Sequence, residues 1–294
     1  MLWRGQRESD NVDDLRGGGG GGIGGTGLAL GGGGCGTVII IILALLFGVD
    51  PRSLLNQGQA PTQPAPTTQT QSQRSARQPE DEGKAFASTI LASTEDVWRT
   101  ILPQQTGKQY RVPRLALFSG RVTSACGRAT AASGPFYCPA DEKVYIDLAF
   151  YQELRNRFHA PGDFAQAYVI AHEVGHHVQN ILGTSAKVDA LQRRASETQA
   201  NQLSVRLELQ ADYYAGVWAH YIQQKGLLEA GDVEEALRAA SAVGDDSIQR
   251  QTQGYVVPDS FTHGSSAQRM KWFKLGMDSG DIKGGNALFT SNSF

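Results

Sequence analysis

The chain has 294 residues, 40% of them hydrophobic, which is enough for one domain of about 200 residues plus extensions. Its 27 Lys and Arg stand against 29 Asp and Glu, for a net charge of −2. That balance offers no basic surface and argues against a nucleic-acid partner.

The first 16 residues are polar and mixed in charge, with three Arg against four acids. A glycine run follows, with 14 Gly among residues 17–36, too flexible for a regular helix in water. It suits a pliant tether or close helix packing in a membrane. Thr37 to Val49 (TVIIIILALLFGV) carries no charge. Thirteen helical residues reach only about 20 Å, short of the ~30 Å hydrocarbon core. Adding Leu28 to Gly36 gives 22 uncharged residues, which suffices, so residues 28–49 are expected to form one transmembrane helix. A signal peptide fits less well, because the leader is long and no small-x-small cleavage site lies near 50, and a buried core helix rarely follows a Gly-rich run and precedes a Pro/Gln-rich one. The Arg residues ahead of the span place residues 1–27 in the cytoplasm and the bulk of the chain in the periplasm or outside, as a single-pass protein of the inner membrane. Residues 50–82, rich in Gln, Pro, Thr and Ser, are expected to be a disordered linker.

The folded domain is expected over 83–294. Phe86, Ile90 and Leu91, then Val97, Ile101 and Leu102, are spaced for two helices, with Ser93 or Thr94 as an N-cap between them. Arg114 to Thr123 reads as one strand. Phe136 to Cys138 and Lys143 to Leu148 read as a hairpin around Pro139 to Glu142, and Ala149 to Phe158 as a short helix. Cys126 and Cys138 flank a loop. In an oxidising compartment they form a disulfide; elsewhere they are a free buried pair, and their spacing does not suit a structural zinc site.

The next helix carries His172-Glu173-Val174-Gly175-His176 (H-E-x-x-H). Residues four apart share a helix face, so His172 and His176 can grip one Zn²⁺. Glu173 lies about 100° round the helix and can reach an activated water without being a ligand, as a general base. An apolar stripe including Phe164, Ala167, Tyr168, Ala171 and Val178 turns this helix to the core. Asp163 with Gln166 suggests a capping box at its start, and Gly183 a stop at its end. Gln179 and Leu182 replace the Gly and His that a metzincin site needs. A third ligand is expected on the helix from Ser196 to Gln224, where Glu208 and Asp212 share a face. Glu208 suits the ligand and Asp212 the acceptor that fixes a histidine tautomer. His220 lies about 18 Å further along the helix and cannot join Glu208 at one ion.

The arrangement of His172, His176, Glu208 and Asp212 resembles the gluzincin metallopeptidases. Four longer runs are more specific: Arg7 to Val12, Gly134 to Asp141, Ala242 to Asp246, and Phe261 to Arg269. Together they resemble the bacterial neutral zinc metallopeptidases of the YpfJ-like family. The resemblance implies an α+β zincin-like domain, mainly helical with a small sheet, and hydrolysis of peptide or protein substrates. Sequence order and the resemblance favour Lys143 to Leu148 as an edge strand holding substrate by backbone pairing; the alternative is an ordinary internal strand. His263, at a helix entrance ahead of a Ser265 and Gln268 capping box, is the implied oxyanion donor, supported by Arg269. Asp232 is expected to cap the helix after the ligand helix, and Asp245 and Asp246 to cap the next turn or bind a cation. The reading from another class is a membrane-tethered zinc-containing binding or scaffold protein without turnover. Hydrolysis of something other than peptide is a further alternative. Nothing in the sequence speaks for any oligomeric state.

Overall fold

The computed structural model describes residues 1–16 and 79–290. The stretch read as a membrane span, and the linker up to residue 78, lie outside the described residues. Among those described, no helix is long and apolar enough to cross a membrane.

Residues 1–16 do not stand apart from the domain, as the sequence suggested. They carry β1 (Val12–Asp14), which pairs parallel with β2 (Arg114–Phe118) in the register Val12 to Leu115. Between them in sequence comes α1 (Pro79–Thr106), one helix of 28 residues rather than two, and it takes over the end of the expected linker. The expected caps face inward along the same helix: Ser93 Oγ and Thr94 Oγ1 donate to the carbonyls of Ile90 and Leu91, leaving the backbone ladder intact.

The stretch read as one strand from Arg114 breaks at Gly120, whose φ of +73° turns the chain. Its second half, β3 (Arg121–Ser124), leaves the main sheet and pairs with β4 (Gly127–Thr130). The expected hairpin forms: β5 (Phe136–Cys138) runs antiparallel to β6 (Lys143–Asp147). The sheet order is β1-β2-β6-β5. β6 is therefore interior, paired with β2 as well as β5, and the expectation that Lys143 to Leu148 is an edge strand is corrected. The free edge on that side is β5. Cys126 and Cys138 form a disulfide that ties the β3–β4 hairpin to the end of β5.

After α2 (Ala149–Asn156) the helical half begins. It comprises α3 (Asp163–Leu182), α4 (Thr184–Gln192), α5 (Glu197–Gln224), α6 (Asp232–Ala242), α7 (Asp245–Gln253), α8 (Ser266–Ser279) and α9 (Ala287–Thr290). The fold is thus α+β and mainly helical, with a small sheet. Trp218 of α5 stacks on Phe164 of α3 at 5.6 Å, and Tyr214 of α5 meets Trp98 of α1 edge-on at 5.8 Å. All four rings are fully buried. They make α5 the central helix, touched by α1, α3 and α8. Gly183 closes α3 in the left-handed conformation, as expected. Its start differs: Gly162 is the N-cap, and Glu235 of α6 accepts the Phe164 N–H at 3.1 Å. Asp232 likewise does not cap, because the N-cap of α6 is Gly231.

Candidate metal centre and cleft

Two close approaches set the site. Gly175, between the two metal-motif histidines, faces α5 so closely that a Cβ there would sit 2.8 Å from the Ala211 carbonyl oxygen. Only glycine lets α3 and α5 meet at that point, which carries Glu208 to the histidines. On the other side of α5, Gly216 and Gly276 each face the partner helix's backbone, with a Cβ at 2.0 and 1.9 Å from a carbonyl oxygen. That contact seats α8, and Arg269 with it, over Asp212.

His172 Nε2 lies 3.1 Å from Glu208 Oε2, and His176 Nε2 lies 3.4 Å from Glu208 Oε1. One ligand atom from each of the three residues falls within 4.8 Å of the others. The outward nitrogens fix both tautomers. His172 Nδ1 is 2.8 Å from Asp212 Oδ1, a carboxylate that can only accept, so the proton is on Nδ1. His176 Nδ1 is 2.9 Å from Gln179 Oε1. The Gln179 amide is oriented by its own donation to the Leu207 carbonyl at 2.6 Å. Both rings therefore turn Nε2 towards Glu208, where a bound metal ion would take the place of the ring proton. Two imidazole nitrogens and one carboxylate, each ring held from behind, form the donor set that zinc takes when a further position is left for water. The residues fit the ion. Of the sequence-derived set, the structure thus brings together His172, His176, Glu208 and Asp212.

Asp212 is fully buried and carries more than one partner. It accepts from Tyr168 Oη, and from Arg269 through Nε at 2.8 Å and Nη2 at 3.0 Å. Burial pushes its carboxyl up, but Arg269 and then His172 outweigh this and hold it below the usual carboxylate range. Arg269 is thereby placed behind His172 rather than behind His263, which corrects the expected support. The support for His263 is Asp245. Its Oδ2 accepts the backbone N–H groups of Thr262, His263 and Gly264 at 2.7, 2.7 and 3.0 Å. Its Oδ1 lies 3.1 Å from His263 Nδ1. Asp245 builds the 262–264 loop and leaves His263 Nε2 for the cleft, while Asp246 Oδ1 accepts the Ser266 N–H at the first turn of α8 at 2.7 Å. Burial lowers the His263 imidazolium, yet Asp245 overrides it and raises its pKa.

Glu173 is 8% exposed and lines the same cleft. Burial pushes its carboxyl pKa up, opposed by the two neighbouring histidines. A carboxylate moved towards neutrality suits a group that takes up and returns a proton. The cleft beside it is lined by Pro135 with Phe136 and Tyr137 of β5, and by Phe158, Val169 and Ile248.

Sequence reasoning missed three contributors. Gln179 stands three residues after His176, on the same helix face, a spacing that could have revealed it. Tyr168 stands four before His172 for the same reason. His177 turns away from the metal: its Nε2 donates to the Arg111 carbonyl at 2.6 Å, so Nδ1 accepts from Tyr137 Oη at 2.9 Å. Burial lowers its pKa and keeps it neutral. It pins β5 to the metal helix. His220, set aside as a ligand, bonds the Met277 carbonyl at 2.8 Å instead.

Residues 1–288 match the model of a family described as "Putative neutral zinc metallopeptidase". The "Uncharacterized protein YpfJ" of Escherichia coli K12 is 53% identical over 284 residues, 96% of each chain. The "Uncharacterized protein Rv2575" of Mycobacterium tuberculosis H37Rv is 41% identical over 254 residues, 81% of this chain and 82% of the relative. No solved structure matches the chain.

Proposed function

The chain belongs to the neutral zinc metallopeptidase family, and from that premise we propose that it hydrolyses peptide bonds in polypeptide substrates. The observation that carries this reading is the joint geometry of His172, His176 and Glu208 with Glu173 beside them in an open-sided cleft. A purely structural zinc site closes its fourth position with protein and has no use for an adjacent carboxylate.

His172, His176 and Glu208 would hold the zinc. Bound there, zinc supplies a Lewis acid that makes water a nucleophile near neutral pH and polarises the scissile carbonyl. Glu173 takes a proton from the attacking water and delivers it to the leaving amine. His263, steadied by Asp245, donates from Nε2 to the developing oxyanion. Asp212 and Gln179 keep the two ligand rings in register. The substrate lies extended along the free edge of β5, pairing with its backbone, and an apolar side chain next to the scissile bond meets the Phe158, Val169 and Ile248 wall.

The test is cleavage of an unbiased peptide mixture by the zinc-loaded full chain, beside Glu173→Gln and a chelated sample. Cutting by the wild type alone, next to apolar residues, supports the reading. An equally active Glu173→Gln protein would remove Glu173 as the base, and an inert wild type that retains zinc would remove the peptidase reading.

A further inference from the structure

We infer that residues 1–16 and the metal-binding domain lie on one and the same side of any membrane that the chain meets. The inference gives a role to the run Arg7 to Val12, which the metal chemistry leaves unused. Glu95 of α1 is buried to 1% exposure, and its carboxylate is met by this segment: Oε2 by Arg7 at 2.9 Å, Oε1 by Asn11 at 3.0 Å and by the Ser9 hydroxyl. A buried charge needs such partners, so the domain folds with the segment in place. Ser9 and Ser88 also exchange backbone and side-chain bonds at 3.1 and 3.0 Å. Beyond them β1 adds the outer strand of the sheet, and Asp13 is gripped by Arg114 and Lys143. Trp3, itself buried, meets Phe86 edge-on at 5.2 Å.

The two ends that lead into residues 17–78 emerge together. Asp14 pairs with Lys84 at 3.2 Å, and Arg4 with Glu82. A strand pairing and a buried ion pair cannot form through a bilayer. The expected topology, with the N-terminus inside and the domain outside a single span, is therefore incompatible with this fold.

The test uses the full chain in living cells. Cys35 is replaced by serine, and one cysteine is placed either at Glu8 or at Leu191, both exposed positions. Each variant is treated with a membrane-impermeant maleimide before and after lysis. Equal labelling of both positions in intact cells, or protection of both until lysis, supports the inference. Labelling of one position with protection of the other overturns it, as does recovery of a mature domain that has lost residues 1–16. A second measurement asks whether the clasp is part of the cooperative unit. Arg7→Ala with Asn11→Ala should lower the thermal midpoint of the domain by about 5–10 °C, with zinc content unchanged. An unaltered midpoint overturns the inference.

Discussion

Two buried glutamates do opposite work in this molecule. Glu95 and Glu208 are 1% and 4% exposed, and each faces three polar neighbours or two. Glu95 meets a guanidinium, a hydroxyl and an amide, groups that can do nothing but donate to it as they stand. Its site is finished. Glu208 meets two imidazole nitrogens that can each exchange a ring proton for a cation, because the outward hydrogen bonds hold the other nitrogen of each ring. Burial lowers the His172 imidazolium, but Asp212 and Glu208 outweigh it and pull its pKa up to about 10. The pull is that of a centre built for positive charge. A buried carboxylate alone is thus no sign of function; what distinguishes the two is whether its partners are fixed donors or groups that can exchange a proton for a metal ion.

The largest effect expected is on turnover. Glu173→Gln should lower the peptidase rate by about 10²–10⁴-fold or more while zinc stays bound, read by activity beside metal analysis. The comparison itself is broken or upheld by matched substitutions. Glu208→Gln should weaken zinc binding by at least about 100-fold, more than loss of an outer partner costs, with little change in the stability of the zinc-free fold. Glu95→Gln should do the reverse. Zinc affinity should hold, and the fold should lose about 2 kcal/mol, or roughly 4–8 °C of thermal midpoint, through weakened charge-assisted bonds. Competition with a chromogenic chelator and thermal unfolding read both. If the two substitutions behave alike, the distinction between a finished and an open carboxylate fails.

The sequence made one of these sites legible and hid the other, for a physical reason. His172, His176, Glu208 and Asp212 lie on two helices, and the 3.6-residue period puts each pair on one face, so spacing alone reports geometry. Glu95 is answered from residues 84 to 88 positions away, by a segment whose parallel pairing with β2 leaves no local trace. The same blindness to distant pairing made β6 look like an edge, because its partner β2 lies on the far side of the β3–β4 excursion. Asp245 escaped as the support of His263 because the two are 18 residues apart across a loop. Arg269 was seen but given to the wrong partner: helical position fixes a face, not which of two buried groups a long side chain reaches.

The two outer partners of the ligand rings sharpen the comparison at smaller scale. Asp212→Asn removes the charge behind His172 and leaves Arg269 without its buried partner. Zinc affinity should fall by about 10–100-fold, and stability should fall with it. Gln179→Leu removes only a neutral acceptor behind His176 and its tie to Leu207. A loss of about tenfold in zinc affinity is expected there, with smaller change in stability. An order reversed between these two would mean that His176, not His172, is the ligand whose orientation matters more.

The smallest effect expected lies at the rim of the N-terminal clasp and depends on pH. Asp13 accepts hydrogen bonds from Arg114 and Lys143, which lower its carboxyl pKa from the ordinary 3.8 to about 2 against a modest desolvation that acts the other way. The folded protein thus binds this proton less readily than the unfolded chain does. The contribution of Asp13 is complete above about pH 4 and is lost as pH falls through 2. The Asp13 side chain is partly exposed and both its partners reach water, so its pairs are worth about 1 kcal/mol. Asp13→Asn should therefore lower stability slightly at pH 7 and by less as the pH approaches 2, where the wild type loses the same charge. Glu173→Gln at the metal centre should leave that difference untouched, because β1 and Glu173 share no hydrogen bond. Unfolding curves of the two variants between pH 2 and 7 measure it, and a pH-independent gap for Asp13→Asn would show that its charge plays no part in holding β1.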